Sequence, residues 1–232
     1  MNMKHIAAMC LMALMAFTTS CSSDDEALPS KVEPTAQGTF TDERDGETYG
    51  WVRYGNLDWM TENYRYEYED ETYSTIYQPA DDYYNYTNKS NLAKYGRLYT
   101  MTGAVAACPE GWRLPTDADW QELEKALGMS ATDAASDGWR SNIAHNMYST
   151  KSDPCSLNLL LGGLFNTYIG MGATKWRMMG VYGYYWTSTV DKTKEGDFYY
   201  VRKLSYNSNQ VWRGSMEPAA FMLSVRYVRD AQ

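Results

Sequence analysis

The most regular hydrophobic pattern in the chain lies within residues 107–128. Trp120, Leu123 and Leu127 follow one another at intervals of three and four, the spacing that places side chains on one face of an α-helix. Gly128 comes directly after the last of them, at a position where glycine commonly ends a helix. The pattern therefore predicts a helix that packs one apolar face into the protein.

The residues before this helix predict a sharp turn and an N-terminal cap. Pro109 and Gly111 favour the turn, because proline restricts φ and glycine adopts conformations that other residues avoid. Thr116 can accept a hydrogen bond from the first helical turn, and Asp119 three residues later completes a pattern similar to a capping box. We interpret the following residues as a structural motif: Trp112, Arg113, Leu114, Pro115, Thr116 and Trp120.

Alternation of apolar and polar residues predicts mainly β structure in the rest of the domain. β-forming residues flank the Arg-Asp-Gly sequence at 44–46, which predicts a hairpin turn, and a second turn is predicted at residues 54–56. In the last third of the chain we predict strands at residues 165–169, 180–189, 197–205, 210–212 and 221–229. Leu223, Val225 and Tyr227 alternate along the last of these strands and are expected to share one face.

Three weaker patterns complete the predicted elements. Small residues at the end of segment 95–107 predict a short helix that packs closely against its neighbours. Trp139, Ile143 and Met147 repeat every four residues, which predicts a second, less regular helix. Segment 64–95 contains many tyrosines among acidic residues and few aliphatic ones, so it cannot form a core of its own. We predict that this segment is a long loop on the domain surface.

The N-terminal residues have the composition of an export signal. Lys4 and His5 precede an apolar run at residues 6–17, which is too short to span a bilayer comfortably. Small residues then lead to Cys21, and the arrangement resembles a bacterial lipoprotein box. The resemblance implies that residues 1–20 are removed and that Cys21 carries the lipid anchor. An ordinary cleaved signal followed by an incidental cysteine is the alternative.

The segment after Cys21 predicts a tether and a cellular location. Residues 21–38 are polar and show no hydrophobic period, so we predict a disordered connection to the membrane. The acidic run at residues 23–26 resembles the surface-export signal of lipoproteins in the Bacteroides group. This resemblance implies a lipid anchor in the outer membrane and a domain that faces outward. A solvated spacer without an export role is an equally open interpretation.

The composition narrows the classes of partner. Aromatic residues form 15% of the chain, with 21 Tyr and 8 Trp against 5 Phe, which favours rings that carry a polar group. Such rings suit half-exposed β-sheet faces and binding surfaces. The net charge is −8 and the sequence has no basic cluster. Both observations argue against nucleic acid as a partner.

No residue pattern identifies a catalytic, metal or cofactor site. His145 is the only histidine after the predicted signal, and no serine lies in a recognisable nucleophile motif. Segment 78–81 only loosely resembles a calcium-lectin motif, so we predict no calcium site. Paired carboxylates for glycoside hydrolysis stay open because acidic residues are plentiful. We predict a domain without a cofactor or enzyme activity.

The chain resembles the Fibrobacter succinogenes major paralogous domain family over nearly all of residues 40–230. The resemblance rests on residues 40–46, 59–63, 95–99, 107–116, 162–163, 186–189 and 225–230, together with Trp120. It implies a single domain, residues 39–232, with an α+β, C-type-lectin-like fold. In that fold the N- and C-terminal strands pair, the strands are mainly antiparallel, two helices flank them, and the loops are long and irregular. The family carries no established activity over to this chain.

Two comparisons with similar sequences concern cysteine. Many family members have a cysteine in the closing strand, where this chain has Tyr227. Cys108 and Cys155 would meet an oxidising compartment in an exported protein, so a Cys108–Cys155 disulfide and two free thiols both stay open. Segment 113–120 also resembles a motif of formylglycine-generating enzymes, which bind copper through cysteines near the C-terminal part of the domain. The chain has no cysteine after Cys155, which argues against that chemistry.

The tyrosines predict a binding role. The candidate ligand-binding rings are Tyr83, Tyr84, Tyr86, Tyr184 and Tyr185. Flat rings match the apolar faces of a glycan or a protein partner, and their hydroxyl groups add hydrogen bonds. Packing over the β core is the alternative role for these rings. For the whole protein, the alternatives to adhesion are a structural subunit of a surface assembly and an enzyme or accessory protein of glycan or protein processing.

Overall fold

A computed structural model of the chain describes residues 30–68, 70, 72–77, 89–149, 155–168 and 175–232. The predicted signal segment, the predicted lipid anchor Cys21 and the candidate tyrosines Tyr83, Tyr84 and Tyr86 lie outside these residues. Within the described part of the chain, none of the helices has the length and apolar character needed to cross a membrane.

The described residues form a mixed α+β domain in which antiparallel strands predominate. The strands are β1 (Ala36–Thr41), β2 (Thr48–Tyr54), β3 (Leu57–Met60), β4 (Ser74–Ile76), β5 (Arg97–Tyr99), β6 (Gly138–Arg140), β7 (Gly162–Asn166), β8 (Trp176–Met179), β9 (Tyr182–Val190), β10 (Tyr199–Ser205), β11 (Ser208–Met216), β12 (Phe221–Met222) and β13 (Val228–Asp230). The helices are α1 (Lys89–Tyr95), α2 (Met101–Ala106), α3 (Asp117–Ala126) and α4 (Ala131–Ala135), with a 3-10 turn at Ala144–Asn146.

The strands are arranged in two main sheets. β1, β2, β3 and β13 form a four-stranded antiparallel sheet in that order. The larger sheet has the order β12-β7-β9-β10-β11-β6, and β8 also pairs with β7. Its strand pairs are antiparallel except β7 and β9, which run parallel at Gly163 and Gly183. β4 and β5 form a separate small pair.

The two ends of the domain meet in the four-stranded sheet. Trp59 of β3 lies opposite Val228 of β13. Arg113 also exchanges backbone hydrogen bonds with Val228, with N···O distances of 2.8 Å and 2.9 Å. The C-terminal strand therefore belongs to the same sheet as the N-terminal strands, but it pairs with β3 and not with β1. The predicted turn between β1 and β2 is present as well, and Gly46 adopts a φ of 75° there.

α3 is the capped helix that the hydrophobic pattern predicts. Thr116 Oγ1 accepts a hydrogen bond from the Asp119 backbone N–H at 3.0 Å, and an Asp119 carboxylate oxygen accepts one from the Thr116 N–H at 2.7 Å. The predicted capping box is confirmed. All three apolar residues of the stripe are buried, and the Trp120 ring meets Trp59 edge-on with centroids 4.8 Å apart. The helix is thereby fixed against the four-stranded sheet.

The buried side chains form two core clusters. One contains Trp59 and Trp120 together with Val211 of the large sheet. The other contains Tyr64, Trp186 and the closing segment of the chain. Since Val211 and Trp186 both belong to the large sheet, that sheet contributes to both cores.

The closing segment is less regular than predicted. Leu223, Val225 and Tyr227 all lie in the second core cluster, so their predicted common side is confirmed. The continuous strand predicted at residues 221–229 is wrong, because β12 ends at Met222 and β13 begins only at Val228. Between them the chain forms isolated bridges to β5 and β9.

The helix predicted at residues 139–147 is also wrong. Its first residues belong to β6, which pairs with β11. Gly138 and Ser141 have φ angles of 87° and 39°, outside the range of a right-handed helix. Only Ala144–Asn146 form a single 3-10 turn.

The surface loop predicted at residues 64–95 is wrong at both ends. Tyr64 is fully buried, and its hydroxyl group donates a hydrogen bond to the buried carboxylate of Asp42. β4 lies in this stretch and pairs with β5 just beyond it, and α1 occupies the last seven residues of the stretch. The ring of Tyr64 can be buried because its polar end has a partner inside the protein.

The ordered domain begins before the predicted boundary at residue 39. β1 starts at Ala36. Upstream of it, the Val32 N–H donates to Asn146 Oδ1 at 2.9 Å, and the Tyr54 hydroxyl group donates to the Val32 carbonyl at 3.1 Å. The C-terminal part of the predicted tether is therefore bound to the domain.

Cys108 and Cys155 are free thiols, so the disulfide that the sequence left open is not formed. Cys155 packs against the first core cluster and Cys108 against the second. Burial raises the pKa of the Cys108 thiol to about 12. Cys108 is therefore protonated at neutral pH and is a poor nucleophile.

Acid is expected to destabilise the domain. Burial alone would raise the pKa of Asp191, but hydrogen bonds from Ser215 and Thr193 outweigh it and lower the pKa to about 2. Arginine partners or hydrogen bonds similarly lower the pKa of four other carboxyl groups against the effect of burial: Asp42, Asp58, Asp117 and Asp119.

The sign of this effect follows from the order of protonation. As the pH falls, an unfolded aspartate takes up its proton near pH ~4, whereas these folded aspartates take up theirs only at lower pH. The stabilisation is therefore complete above that pH and is lost as the pH falls through the lower folded pKa values. Urea unfolding at a series of pH values should give a free energy of unfolding that falls steadily below pH ~4. A constant free energy across that range would contradict the prediction.

Candidate functional site

Four strands of the large sheet carry a row of aromatic side chains around one lysine. Trp139 of β6 lies opposite Trp212 of β11, Trp212 lies opposite Lys203 of β10, and Lys203 lies opposite Tyr184 of β9. Directly opposed residues project from the same side of a sheet. Tyr182 lies two residues before Tyr184 and shares that side. We call these five residues the aromatic face.

The ammonium group of Lys203 lies among all four rings. Its Nζ is 4.5 Å from the ring centroid of Trp212 and 4.9 Å from that of Trp139. The centroids of Tyr182 and Tyr184 are 5.4 Å and 6.0 Å away. All four distances fall within the range in which a cation is attracted to an aromatic ring. Lys203 of β10 thus holds rings from β6, β11 and β9 in one cluster.

The aromatic face is partly exposed to solvent, whereas the other side of the same strands is covered by the first core cluster. The neighbouring positions Val201 and Trp186 on the side of the aromatic face are buried in the second core cluster, against which Tyr184 and Trp212 also pack. Trp139 is 38% exposed, and the other four residues are half-buried. On the opposite side, Leu204 and Val211 are buried in the core cluster that contains α3 residues. The row crosses three strand spacings, so it is about 14 Å long. An extended ligand could therefore contact several rings at once.

Gly214 leaves room for the indole ring of Trp212. The two residues lie on the same side of β11, and a Cβ atom at position 214 would come within 2.4 Å of the Trp212 ring. The ring consequently lies flat along the strand, above the glycine.

Lys203 is the one charged residue at the positions of β6, β9, β10 and β11 that share the aromatic face. The other paired positions on this side are Trp186, Val190, Tyr199, Val201, Ser205, Ser208, Gln210, Gly214 and Met216. Among the described residues, none forms an ion pair or hydrogen bond with Lys203, and burial lowers the pKa of its ammonium group. The face therefore combines rings with a single uncompensated positive charge.

The structure separates the two predicted ligand-binding tyrosines of β9. Tyr184 belongs to the aromatic face, whereas Tyr185 points to the opposite side and is completely buried. The Tyr185 hydroxyl group is 2.6 Å from both the N–H and the carbonyl oxygen of Leu160. Tyr185 is therefore a core residue, and its predicted role as a ligand-binding ring is wrong.

Sequence reasoning did not identify Trp139, Lys203 or Trp212 as site residues. Trp139 was assigned to a helix, and the other two lie on strands whose pairing is not evident from local sequence. The alternation of Gln210, Trp212 and Gly214 was the available signal, because it places these three residues on one side of a strand.

The most concentrated ionisable groups of the described residues lie inside the protein, between α3 and the large sheet. Arg202 donates to Glu124 Oε1 through Nε and to Asp117 Oδ1 through Nη1, both at 2.7 Å. Arg213 also pairs with Asp117 at 2.8 Å, and Arg140 pairs with Glu124 at 2.7 Å. These two carboxylates are buried and bound by arginines, so their arrangement is suited to structure and not to proton transfer with a substrate.

His145 is buried in the 3-10 turn. Across the described residues, no three His, Cys, Asp or Glu side chains are grouped so that they could hold a metal ion.

Comparison with known proteins gave one family. The model of the Fibrobacter succinogenes major domain matches residues 52–229, which include every residue of the aromatic face. No curated protein and no solved structure matched the chain.

Proposed function

The chain belongs to the Fibrobacter succinogenes major domain family, and from this premise we propose that it is a non-catalytic glycan-binding protein of the cell envelope. The observation that carries the proposal is the row of Trp139, Trp212 and Tyr184 on a partly exposed part of the sheet. Aromatic rings with apolar faces and polar edges are well suited to stack against sugar rings while hydrogen-bonding to hydroxyl groups.

The dimensions of the aromatic face favour an extended ligand. The strands are about 4.8 Å apart, so a chain of sugars crossing them would meet Trp139, Trp212, Lys203 and Tyr184 in turn. Each ring is already positioned by strand pairing and by Lys203, which limits the conformational entropy lost on binding. The partly exposed rings suit adhesion to a polymer that passes across the strands.

The proposed location follows from the N-terminal sequence. We propose that Cys21 carries a lipid in the outer membrane and that the domain faces outward, as the acidic residues after it imply. The domain itself is proposed to be C-type-lectin-like, and the pairing of β3 with β13 supports this assignment.

Replacing Trp212 by alanine is expected to lower glycan affinity by about tenfold or more, the usual loss when a central aromatic anchor is truncated. The full-length protein in detergent would be screened on a glycan array, and its affinity for the strongest ligand measured by titration calorimetry. Tyr168→Ala is the matched control, since Tyr168 is a 64% exposed ring outside the aromatic face.

The control variant should bind as the unmodified protein does, and both variants should retain the far-UV circular dichroism and cooperative thermal unfolding of the native fold. Absence of binding to every glycan on the array, or equal affinity of Trp212→Ala and the unmodified protein, would overturn the proposal.

One observation favours a second function, that of a structural subunit in a surface assembly. β1 is the edge strand of the four-stranded sheet, and its residues alternate between exposed and half-buried. Unpaired edge strands can pair with another chain. Sedimentation of the full-length protein in detergent distinguishes the two functions, because assembly through β1 predicts concentration-dependent oligomers that a proline at Thr39 abolishes.

A further inference from the structure

We propose that the aromatic face selects acidic glycans, with Lys203 pairing with a carboxylate, sulfate or phosphate group while the rings stack on the sugars. This inference rests on the proposed function of glycan binding and adds the chemical class of the ligand. It is carried by the position of one cation at the centre of the ring cluster, with no ion-pair partner among residues 30–68, 70, 72–77, 89–149, 155–168 and 175–232.

The first argument is the chemistry of the ammonium group. A lysine ammonium group has three N–H donors and no acceptor. Aromatic rings attract the positive charge but offer no strong hydrogen-bond acceptor. Because no described residue supplies an acceptor to Lys203, its donors are available to a group that approaches from solvent. An anionic oxygen satisfies both the charge and the hydrogen-bonding capacity.

The second argument is the absence of competing charge on the face. The side chains next to Lys203 in the register are Trp212 and Tyr184, and neither is acidic. The nearby positions Ser205 and Gln210 are neutral as well. An anion that reaches Lys203 therefore meets no carboxylate on this side of the four strands, although the whole chain has a net charge of −8.

The third argument is the free-energy cost of keeping the Lys203 ammonium group partly buried when no anion is bound. The Lys203 side chain is half-buried among rings, and burial lowers the pKa of its ammonium group because the charged form loses hydration. An ion pair formed in this partly desolvated position is stronger than one in open water. A bound anion would compensate the buried charge, and it would be placed where the rings can contact the rest of the sugar.

The direct test compares polymers that differ in charge but share a backbone. Polygalacturonic acid and its fully methyl-esterified form provide the carboxylate pair, and a sulfated polysaccharide with its desulfated form provides the sulfate pair. We expect the full-length protein in detergent to bind the charged member of at least one pair about tenfold more tightly than the neutral member. This preference should shrink as the salt concentration rises.

Lys203→Met removes the charge and retains the length of the side chain. It should abolish the preference for the charged polymer, and Lys203→Arg should retain most of it. Lys194→Met is a matched control, because Lys194 also lies over a ring, 4.8 Å from the centroid of Phe198, but in the connection between β9 and β10. Thermal unfolding of each variant shows whether the fold is kept.

The possible outcomes distinguish glycan binding in general from a preference for acidic glycans. Equal binding of charged and neutral polymers, with no effect of Lys203→Met but weaker binding by Trp212→Ala, would overturn the acidic preference and leave glycan binding in place. Failure of a folded protein to bind any of the four polymers would overturn the acidic preference, and failure on the full glycan array would overturn glycan binding itself. Loss of the preference in Lys194→Met would show that it arises from general charge and not from this face.

Discussion

Replacing Arg226 by methionine is expected to remove much or all of the stability of the domain. Arg226 is completely buried, and among the described residues all its hydrogen-bond acceptors are neutral. Its guanidinium group donates to Asn63 Oδ1 and the Met60 carbonyl at 2.8 Å, to the Leu157 carbonyl at 3.1 Å and to the Asn158 carbonyl at 2.6 Å. It therefore joins β3, the segment before β7 and the closing segment of the chain.

The expected size of this effect follows from the four oxygen atoms that would lose their donor. A buried acceptor without a partner costs about 1–3 kcal/mol, so even partial rescue by water leaves a loss of roughly 3–5 kcal/mol. That loss is a large part of the ~5–15 kcal/mol that stabilises a typical domain. Burial also lowers the pKa of Arg226, because the charged guanidinium group loses hydration in the core. The four hydrogen bonds nevertheless depend on the N–H donors of this group.

Urea unfolding of Arg226→Met, Arg226→Lys and the unmodified protein measures the effect. Lysine supplies fewer donors in a different geometry, so Arg226→Lys should recover only part of the stability. Arg177→Met is the control, because Arg177 lies on the surface of β8 and should change stability by no more than ~0.5 kcal/mol. A loss of less than ~1 kcal/mol in Arg226→Met would contradict the bridging role.

Replacing Glu124 by glutamine is expected to have the second-largest effect. Glu124 is completely buried and accepts hydrogen bonds from Arg140 and Arg202, with shortest N···O distances of 2.7 Å to each. Glutamine has a similar shape but no charge, and it can present a donor where the carboxylate had an acceptor. The substitution would leave three buried arginines, Arg140, Arg202 and Arg213, with Asp117 as their one remaining buried anion.

Removing one partner of a buried ion pair typically costs about 3–5 kcal/mol, because the other charge remains without compensation. We expect a loss of that size in urea unfolding of Glu124→Gln. Glu122→Gln is a matched control on the same helix, since Glu122 is 72% exposed at its side chain and pairs only with Lys125 among the described residues. The control should change stability by less than ~0.5 kcal/mol.

A double-mutant cycle shows whether the loss comes from the network itself. Arg140→Met removes one of the cations that Glu124 binds, so the combined variant should be less destabilised than the sum of the two single variants. A coupling of about 1–3 kcal/mol is expected for groups in direct contact. Strict additivity would show that Glu124 acts through packing alone.

Local sequence patterns determined several elements of this protein. The capping box of Thr116 and Asp119, the buried stripe that follows it and the turn at Gly46 depend on neighbours a few residues apart. The family was also identifiable, because its central motif at residues 107–116 is contiguous. These features could be predicted since their physical causes lie within a single helix, turn or segment.

The same local reasoning failed where distant partners decide the structure. Trp139 fits a helical repeat, but pairing with β11 places it in a strand. Tyr64 sits in a polar, tyrosine-rich segment, but the carboxylate of Asp42 allows it to be buried. In both cases a contact between residues far apart in sequence outweighs the local preference, as tertiary packing commonly does.

The candidate site was also predictable only in part from the sequence. The composition favours tyrosine and tryptophan rings as binding groups, and Tyr184 is one of the candidate ligand-binding rings that the sequence indicates. Only the register of β6, β11, β10 and β9 brought Trp139, Trp212, Lys203 and Tyr184 together. A shift of one residue in that register would turn each side chain to the other face of the sheet. The sequence by itself determined which chemical groups are available, and the tertiary structure decided which of them share a surface, because cross-strand contacts depend on pairing between distant segments.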